Sequence, residues 1–134
     1  MRTVLSANKL RGEFVRDVEE ISGQDLLDCN QCGKCSAGCP VASAMDLLPS
    51  QVIRQAQLGI EEVLASRTIW ICASCLTCVA RCPKGIDLPR TMEALREISL
   101  RKGVSELDLD LLPQELVCEL PQLAIVGGFR KYIK

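Results

Sequence analysis

The chain has 134 residues, about one domain's worth, with 48% apolar residues and a formal net charge of −1 from 16 basic and 17 acidic side chains. That balance argues against nucleic acid as the main partner, because phosphate binding needs a net basic face. The absence of histidine excludes a Ser-His-Asp or Cys-His catalytic site within the chain and any imidazole-ligated zinc.

Phe14, Trp70, Phe129 and Tyr132 are the whole aromatic complement, 3% of the residues, which points to small helices rather than a large β-sandwich. Residues 1–9 are expected to be an extended arm. The first fourteen, MRTVLSANKLRGEF, hold no uninterrupted apolar run, so no secretory signal is expected there. Apolar residues at Leu10, Phe14, Val15, Val18 and Ile21 predict a helix over residues 10–21, ended by Ser22-Gly23. A short turn is expected over residues 25–28.

Two copies of one cysteine pattern follow. The first is Cys29-Asn-Gln-Cys32-Gly-Lys-Cys35-Ser-Ala-Gly-Cys39-Pro40. The second is Cys72-Ala-Ser-Cys75-Leu-Thr-Cys78-Val-Ala-Arg-Cys82-Pro83. Both read C-x2-C-x2-C-x3-C-P, the second 43 residues after the first (29 to 72). The likeness runs on into Asp46-Leu47-Leu48-Pro49 and Asp87-Leu88-Pro89, which marks an internal duplication of one metal motif plus one helix. Between the motifs, Ser50 is expected to cap a helix over residues 51–58, with Val52, Ile53 and Ala56 inward and Gly59 closing it. A second helix is expected over residues 61–66. Trp70 stands two residues before Cys72, as a core side chain, a shield that keeps water from the sulfurs, or both. After the second motif, residues 89–102 predict the clearest helix, with Met92, Leu95, Ile98 and Ser99 on one face.

The spacing carries the chemistry. Three cysteines at i, i+3 and i+6 curl around three corners of an iron–sulfur cube, and the fourth points away from it. In two-cluster ferredoxins that fourth cysteine ligates the other cluster, and the proline after it turns the chain aside. On this pattern, two [4Fe–4S] clusters are expected. Cluster I takes Cys29, Cys32, Cys35 and Cys82, and cluster II takes Cys72, Cys75, Cys78 and Cys39. Structural zinc needs only two C-x2-C pairs, so a third, evenly spaced cysteine in each motif favours iron and sulfur over zinc or disulfides. Backbone N–H groups near Gly33 and Gly38, and the screened charges of Lys34 and Arg81, are expected to tune the clusters mildly. Cys118, the ninth cysteine, is expected to be a free buried thiol.

The last segment changes character. Residues 105–112 alternate acidic and apolar side chains, Pro113 and Pro121 interrupt the chain, and Arg130-Lys131-Tyr132-Ile133-Lys134 is a basic end. One short helix is expected over residues 113–119, with an irregular end after it. The division is then a 1–21 arm and helix, a 22–103 duplicated core, and a 104–134 docking tail. The fold class is all-α, with two cysteine loops. Dense cysteines without a secretory signal predict a cytoplasmic protein.

CNQCGKCSAGCP, WICASCLTCVARCP with its tryptophan two positions ahead, and the 43-residue offset resemble the C-type polypeptide of heterodisulfide reductase and its relatives, over about residues 10–103. The helices between the motifs resemble the α-helical ferredoxin fold, also found in the iron–sulfur subunits of fumarate reductase and succinate dehydrogenase. The resemblance implies an electron relay without a catalytic site of its own. It would run between an A-type flavin- and iron–sulfur-bearing subunit and a B-type cysteine-rich subunit that cleaves or forms a disulfide. The alternative is a free two-cluster ferredoxin that shuttles between separate enzymes. A structural metal alone is the third possibility.

Overall fold

A computed structural model describes residues 7–108 and 111–133. It is built from helices and single helical turns, with no strand among the described residues. The expected arm lies mostly outside the described residues, but Ala7–Leu10 is already a helical turn, α1. The first expected helix is broken at Arg11-Gly12, and α2 runs Glu13–Ser22. The break has a long-range cause. Gly59 has φ +66°, and a Cβ there would collide with the carbonyl of Lys9. The α1 turn therefore lies on the end of the next long helix, at a point where only glycine leaves room.

Phe14, Val15 and Val18 bury one face of α2, and the Gly23 N–H donates to the Glu19 carbonyl at 2.8 Å to end it. The expected turn is a single 3-10 turn, Leu26–Asp28, whose Asp25 side chain accepts from the Leu27 N–H at 2.8 Å. The first motif carries a short helix, α3 (Lys34–Ala37), and leads through another 3-10 turn, Ala42–Ala44, into α4 (Pro49–Gln57). Ser50 is not the cap of α4. Leu48 holds that position, Pro49 opens the helix, and the Gln51 side chain accepts from the Leu48 N–H at 2.8 Å. Ser50 is used elsewhere. Its N–H donates to Ser36 Oγ at 2.9 Å, and Ser36 Oγ donates to Ser50 Oγ at 2.8 Å, which ties α3 to the start of α4.

A 3-10 turn, Glu61–Ala65, stands where a second inter-motif helix was expected. Then come α5 (Thr68–Ile71), α6 (Thr77–Arg81) and the longest element, α7 (Leu88–Arg101). The Asp87 side chain accepts from the Arg90 N–H at 3.2 Å and caps α7. Met92, Leu95, Ile98 and Ser99 are all buried on it, as their spacing predicts.

The duplication is visible in three dimensions. The first motif contains α3 and leads into α4 as the second contains α6 and leads into α7, and α3 packs on α6. The loops match residue for residue. Gln31 and Gly33 have φ 57° and 78°, and Ser74 and Leu76, 43 positions on, have φ 51° and 62°. The core lies where α2, α4, α5 and α7 meet, with Val18, Leu26, Ile53, Ile69, Met92 and Leu95 at 0–1% exposure. Each such side chain contributes about 1.5–3 kcal/mol on burial.

The tail is more ordered than its glycines and prolines suggest. The expected short helix is α8 (Gln114–Glu119). The expected irregular end is instead a further helix, α9 (Gln122–Tyr132). It carries Gly127-Gly128 in its interior and is anchored at its last turn. There the Tyr132 hydroxyl donates to the Trp70 carbonyl at 3.2 Å, and the two rings lie 5.9 Å apart. Cys118 is exposed rather than buried, because α8 buries none of its residues and lies outside the core. No helix among the described residues is long and apolar enough to cross a membrane.

Candidate metal centre

Eight of the nine cysteines line two neighbouring cavities. Cys29, Cys32, Cys35 and Cys82 line the first. Cys72, Cys75, Cys78 and Cys39 line the second. The fourth cysteine of each motif thus stands in the cavity of the other motif. Cys35 and Cys78 line both spaces and form the wall between them. They are the third cysteines of the two motifs, held on the packed pair α3 and α6. Cys118 lines neither cavity.

The sharp loops that aim the thiols depend on left-handed backbone. Gly33 meets that need in the first motif without steric cost, while its counterpart Leu76 meets it with a side chain that is 56% exposed. Behind the loops, buried donors fix the chain before each first cysteine. Gln57 Nε2 donates to the Leu26 carbonyl at 2.6 Å and to the Cys29 carbonyl at 3.0 Å. Arg96 Nη1 donates to the Ile69 carbonyl at 2.7 Å. Ile69 is the counterpart of Leu26, 43 residues on, so both repeats pin the same carbonyl with a different side chain. In the second repeat the Cys72 carbonyl accepts from Lys131 Nζ at 3.0 Å, a bond supplied by the tail.

Several groups address the sulfurs directly. Gln31 Nε2 donates to Cys29 Sγ at 3.6 Å, and the Ile86 N–H donates to Cys82 Sγ at 3.3 Å. Thr77 Oγ1 lies 3.4 Å from Cys75 Sγ, and that contact lowers the Cys75 pKa. Burial raises the Cys35 thiol, with hydrogen bonds from Ser36 partly opposing it. Burial, aided by the neighbouring Cys72, pushes Cys78 up to about 11. Burial thus makes both thiols of the shared wall harder to deprotonate in the metal-free chain.

The donor set fits an iron–sulfur cube. Neither cavity is lined by a histidine or a carboxylate. Among the described residues, no three cysteine or acidic side chains converge closely enough to hold a single ion. The thiols instead ring a space and face it from several sides, which suits a polynuclear centre with one thiolate at each corner.

The comparisons with known proteins agree. A family described as a 4Fe-4S dicluster domain matches residues 25–86. The chain is 32% identical over 108 residues to the second C-type iron–sulfur polypeptide of the CoB–CoM heterodisulfide reductase of Methanocaldococcus jannaschii, covering 75% of this chain and 58% of the relative. It is 36% identical over 106 residues to the C-type polypeptide of the ferredoxin:CoB-CoM heterodisulfide reductase of Methanosarcina mazei, covering 73% and 66%. The chain belongs to the family of C-type heterodisulfide reductase subunits. It carries two [4Fe–4S] clusters. A further relative, the C2 polypeptide of the H2/formate:CoB-CoM heterodisulfide,ferredoxin reductase of Methanococcus maripaludis, is 34% identical over 75% of this chain and 59% of its own length. The chain therefore spans about three-fifths of the length of such relatives.

Within this member of the heterodisulfide reductase family, the supporting residues were harder to anticipate than the thiols. Gln57 had one signal, since it follows Ile53 by four on the inward face of α4, where a polar side chain needs a partner. Arg96, Lys131 and Tyr132 bond to distant backbone carbonyls, and no local pattern announces such partners.

Proposed function

We propose that the chain is the electron-carrying iron–sulfur subunit of a cytoplasmic heterodisulfide-reductase-like complex. Cys29, Cys32, Cys35 and Cys82 would hold one cluster, and Cys72, Cys75, Cys78 and Cys39 the other. The observation that carries this is the pair of sulfur-lined cavities divided only by a wall containing Cys35 and Cys78. When bound, each cluster supplies a one-electron donor and acceptor.

The chain's own residues do the rest. The eight thiolates would fix the spacing of the two centres and cross-link the repeats. Gln57 and Arg96 hold the approach to each motif. Trp70, 5% exposed, backs the Cys72 segment and excludes water behind it. Gln31 Nε2 and the Ile86 N–H donate to sulfurs, which stabilises the reduced, more negative state.

The partners in this proposal are an A-type flavin- and iron–sulfur-bearing subunit and a B-type cysteine-rich, disulfide-active subunit. The relatives are named as C-type polypeptides of reductases of a CoB–CoM heterodisulfide, which supports that assignment. So does the exposed apolar surface of the tail, where Leu111 and Leu123 are 80% and 84% exposed. A freely diffusing carrier has no use for such a surface.

Anaerobic reconstitution followed by iron analysis and electron paramagnetic resonance tests the cluster assignment. About eight irons per chain and a coupled two-cluster signal after reduction are expected. A Cys82→Ser exchange should damage the cluster of the first motif, and Cys39→Ser that of the second. Co-expression with flavin- and cysteine-rich neighbours should give a stable complex. A chain that stays a monodisperse monomer and ignores those neighbours would instead be the free shuttle.

A further inference from the structure

The two cavities are built on one backbone plan but lined by different chemistry, and the differences fall at equivalent positions. Lys34 lines the first cavity, and its counterpart 43 residues on, Thr77, lines the second. Gln31 lines the first and Ser74 the second. Lys84, beyond the second motif, lines the first cavity, and its counterpart Val41 lines the second. Three equivalent pairs thus place two cations and an amide around one cavity, and two hydroxyls and a valine around the other. Met45, Pro49, Pro89 and Met92 complete a second cavity with no charged side chain in its lining, the nearby Lys131 ammonium being engaged with the Cys72 carbonyl at 3.0 Å. Hydrogen bonds follow the same division. Cys29 and Cys82 sulfurs accept from Gln31 and the Ile86 N–H, at 3.6 and 3.3 Å, whereas the second set has the Thr77 hydroxyl beside Cys75.

Reduction adds one negative charge to a cluster. Cations and N–H donors aimed at its ligands stabilise that added charge, and apolar walls do not. Resting on the cluster assignment proposed above, we infer that the cluster held by Cys29, Cys32, Cys35 and Cys82 has the higher reduction potential, so that the pair is polarised and an electron entering it comes to rest on the Lys34–Lys84 side. Lys34 and Lys84 are exposed, so each is screened and acts weakly alone. The bias is the sum of both charges, the amide and the contrast with the uncharged lining of the second cavity. In a relay, this makes the second cavity the side of entry from a low-potential donor and the first the side of exit.

The test is a redox titration of the fully loaded chain, followed by electron paramagnetic resonance. The unaltered chain should reduce in two one-electron steps. Lys34→Gln and Lys84→Gln, both at exposed sites, should each shift the higher-potential step downward, by about three-fold in the reduced-to-oxidised ratio at a fixed potential. They should leave the lower step in place. The double exchange with Gln31→Ser should lower that ratio about ten-fold, equivalent to about 59 mV for a one-electron couple. Val41→Lys should raise the lower step instead. With eight irons present, an unmoved higher step, or a shift of the lower step by Lys84→Gln, would overturn the polarity while leaving the cluster assignment intact. Iron far short of eight would overturn the assignment and the polarity together.

Discussion

Replacing Gln57 with leucine removes the side chain that anchors the first motif. Gln57 is 4% exposed, and its amide nitrogen serves two carbonyls, Leu26 at 2.6 Å and Cys29 at 3.0 Å. Its oxygen accepts from Gln31 Nε2 at 3.3 Å, and Gln31 in turn donates to Cys29 Sγ. Leucine has nearly the same volume and refills the space, so little cavity is created, and its added apolar burial returns about 1 kcal/mol. The two carbonyls lose their donor, at about 1–3 kcal/mol each. The net loss is about 3 kcal/mol, or a fall of about 10 °C in the unfolding midpoint of a chain this size. The effect should also be one-sided, because the Cys29 carbonyl belongs to the first motif and the second motif is pinned by Arg96 and Lys131. The assay is thermal unfolding of the loaded chain at fixed scan rate, paired with visible-absorbance and paramagnetic monitoring of cluster loss under chelator. A midpoint within about 2 °C of the unaltered chain, or equal loss of both clusters, would refute the reasoning.

Lys131→Ala gives the mirror result. It should speed loss of the second cluster, since its donor to the Cys72 carbonyl goes, while the first is spared under the same chelator challenge. Asp46→Asn should cost about 1–2 kcal/mol near neutral pH in chemical unfolding, discounted because the residue is exposed. Burial alone would raise the Asp46 pKa, but hydrogen bonds from Thr68, Ser66 and the N–H groups of Arg67 and Thr68 outweigh it and hold the carboxylate well below its ordinary 3.8. Its contribution is therefore complete above about pH 4 and drains as pH falls further, and the asparagine variant should lack that slope in unfolding rates after brief acid jumps. Leu76→Gly should stabilise the apo or loaded chain by about 0.5 kcal/mol in denaturant titrations, because relief of a left-handed leucine exceeds the unfolded-state entropy that glycine adds. A loss of stability would show that the exposed Leu76 side chain makes a contact worth more than its strain.

What the sequence made legible is what local rules control. The cysteine spacing, the duplication, the turn at 25–28 and the inward faces of α4 and α7 all follow from patterns a few residues long. The misses come from distant partners. The 10–21 helix breaks at Gly12 because α1 must reach Gly59. Ser50, a good cap by type, is drawn into a hydroxyl pair with Ser36 of the first motif. Gly127-Gly128 does not stop α9, whose end is held by the Tyr132 bond to Trp70. Cys118, apolar by habit, faces solvent because α8 lies outside the core that would have buried it.

The tail then has a structural reason to exist that does not depend on docking. In the first repeat one side chain, Gln57, reaches both the carbonyl three residues before the first cysteine and the carbonyl of that cysteine. In the second repeat Arg96 reaches only the earlier carbonyl, that of Ile69, and also pairs with Glu93 at 2.8 Å. The carbonyl of Cys72 would be left to solvent without Lys131, and that of Trp70 without Tyr132. Duplication supplied two equal loops. The second repeat pins its loop with an arginine from a non-equivalent position of its helix, which reaches one carbonyl instead of two, and α9 supplies the remaining donors. The outer faces of α8 and α9, with Leu116, Leu120, Leu123 and Val126 exposed, are left over from that task. The segment that braces the second motif is therefore also the one that presents apolar surface beside it, so a partner seated on the tail would bear mechanically on the Cys72 loop and not on the Cys29 loop.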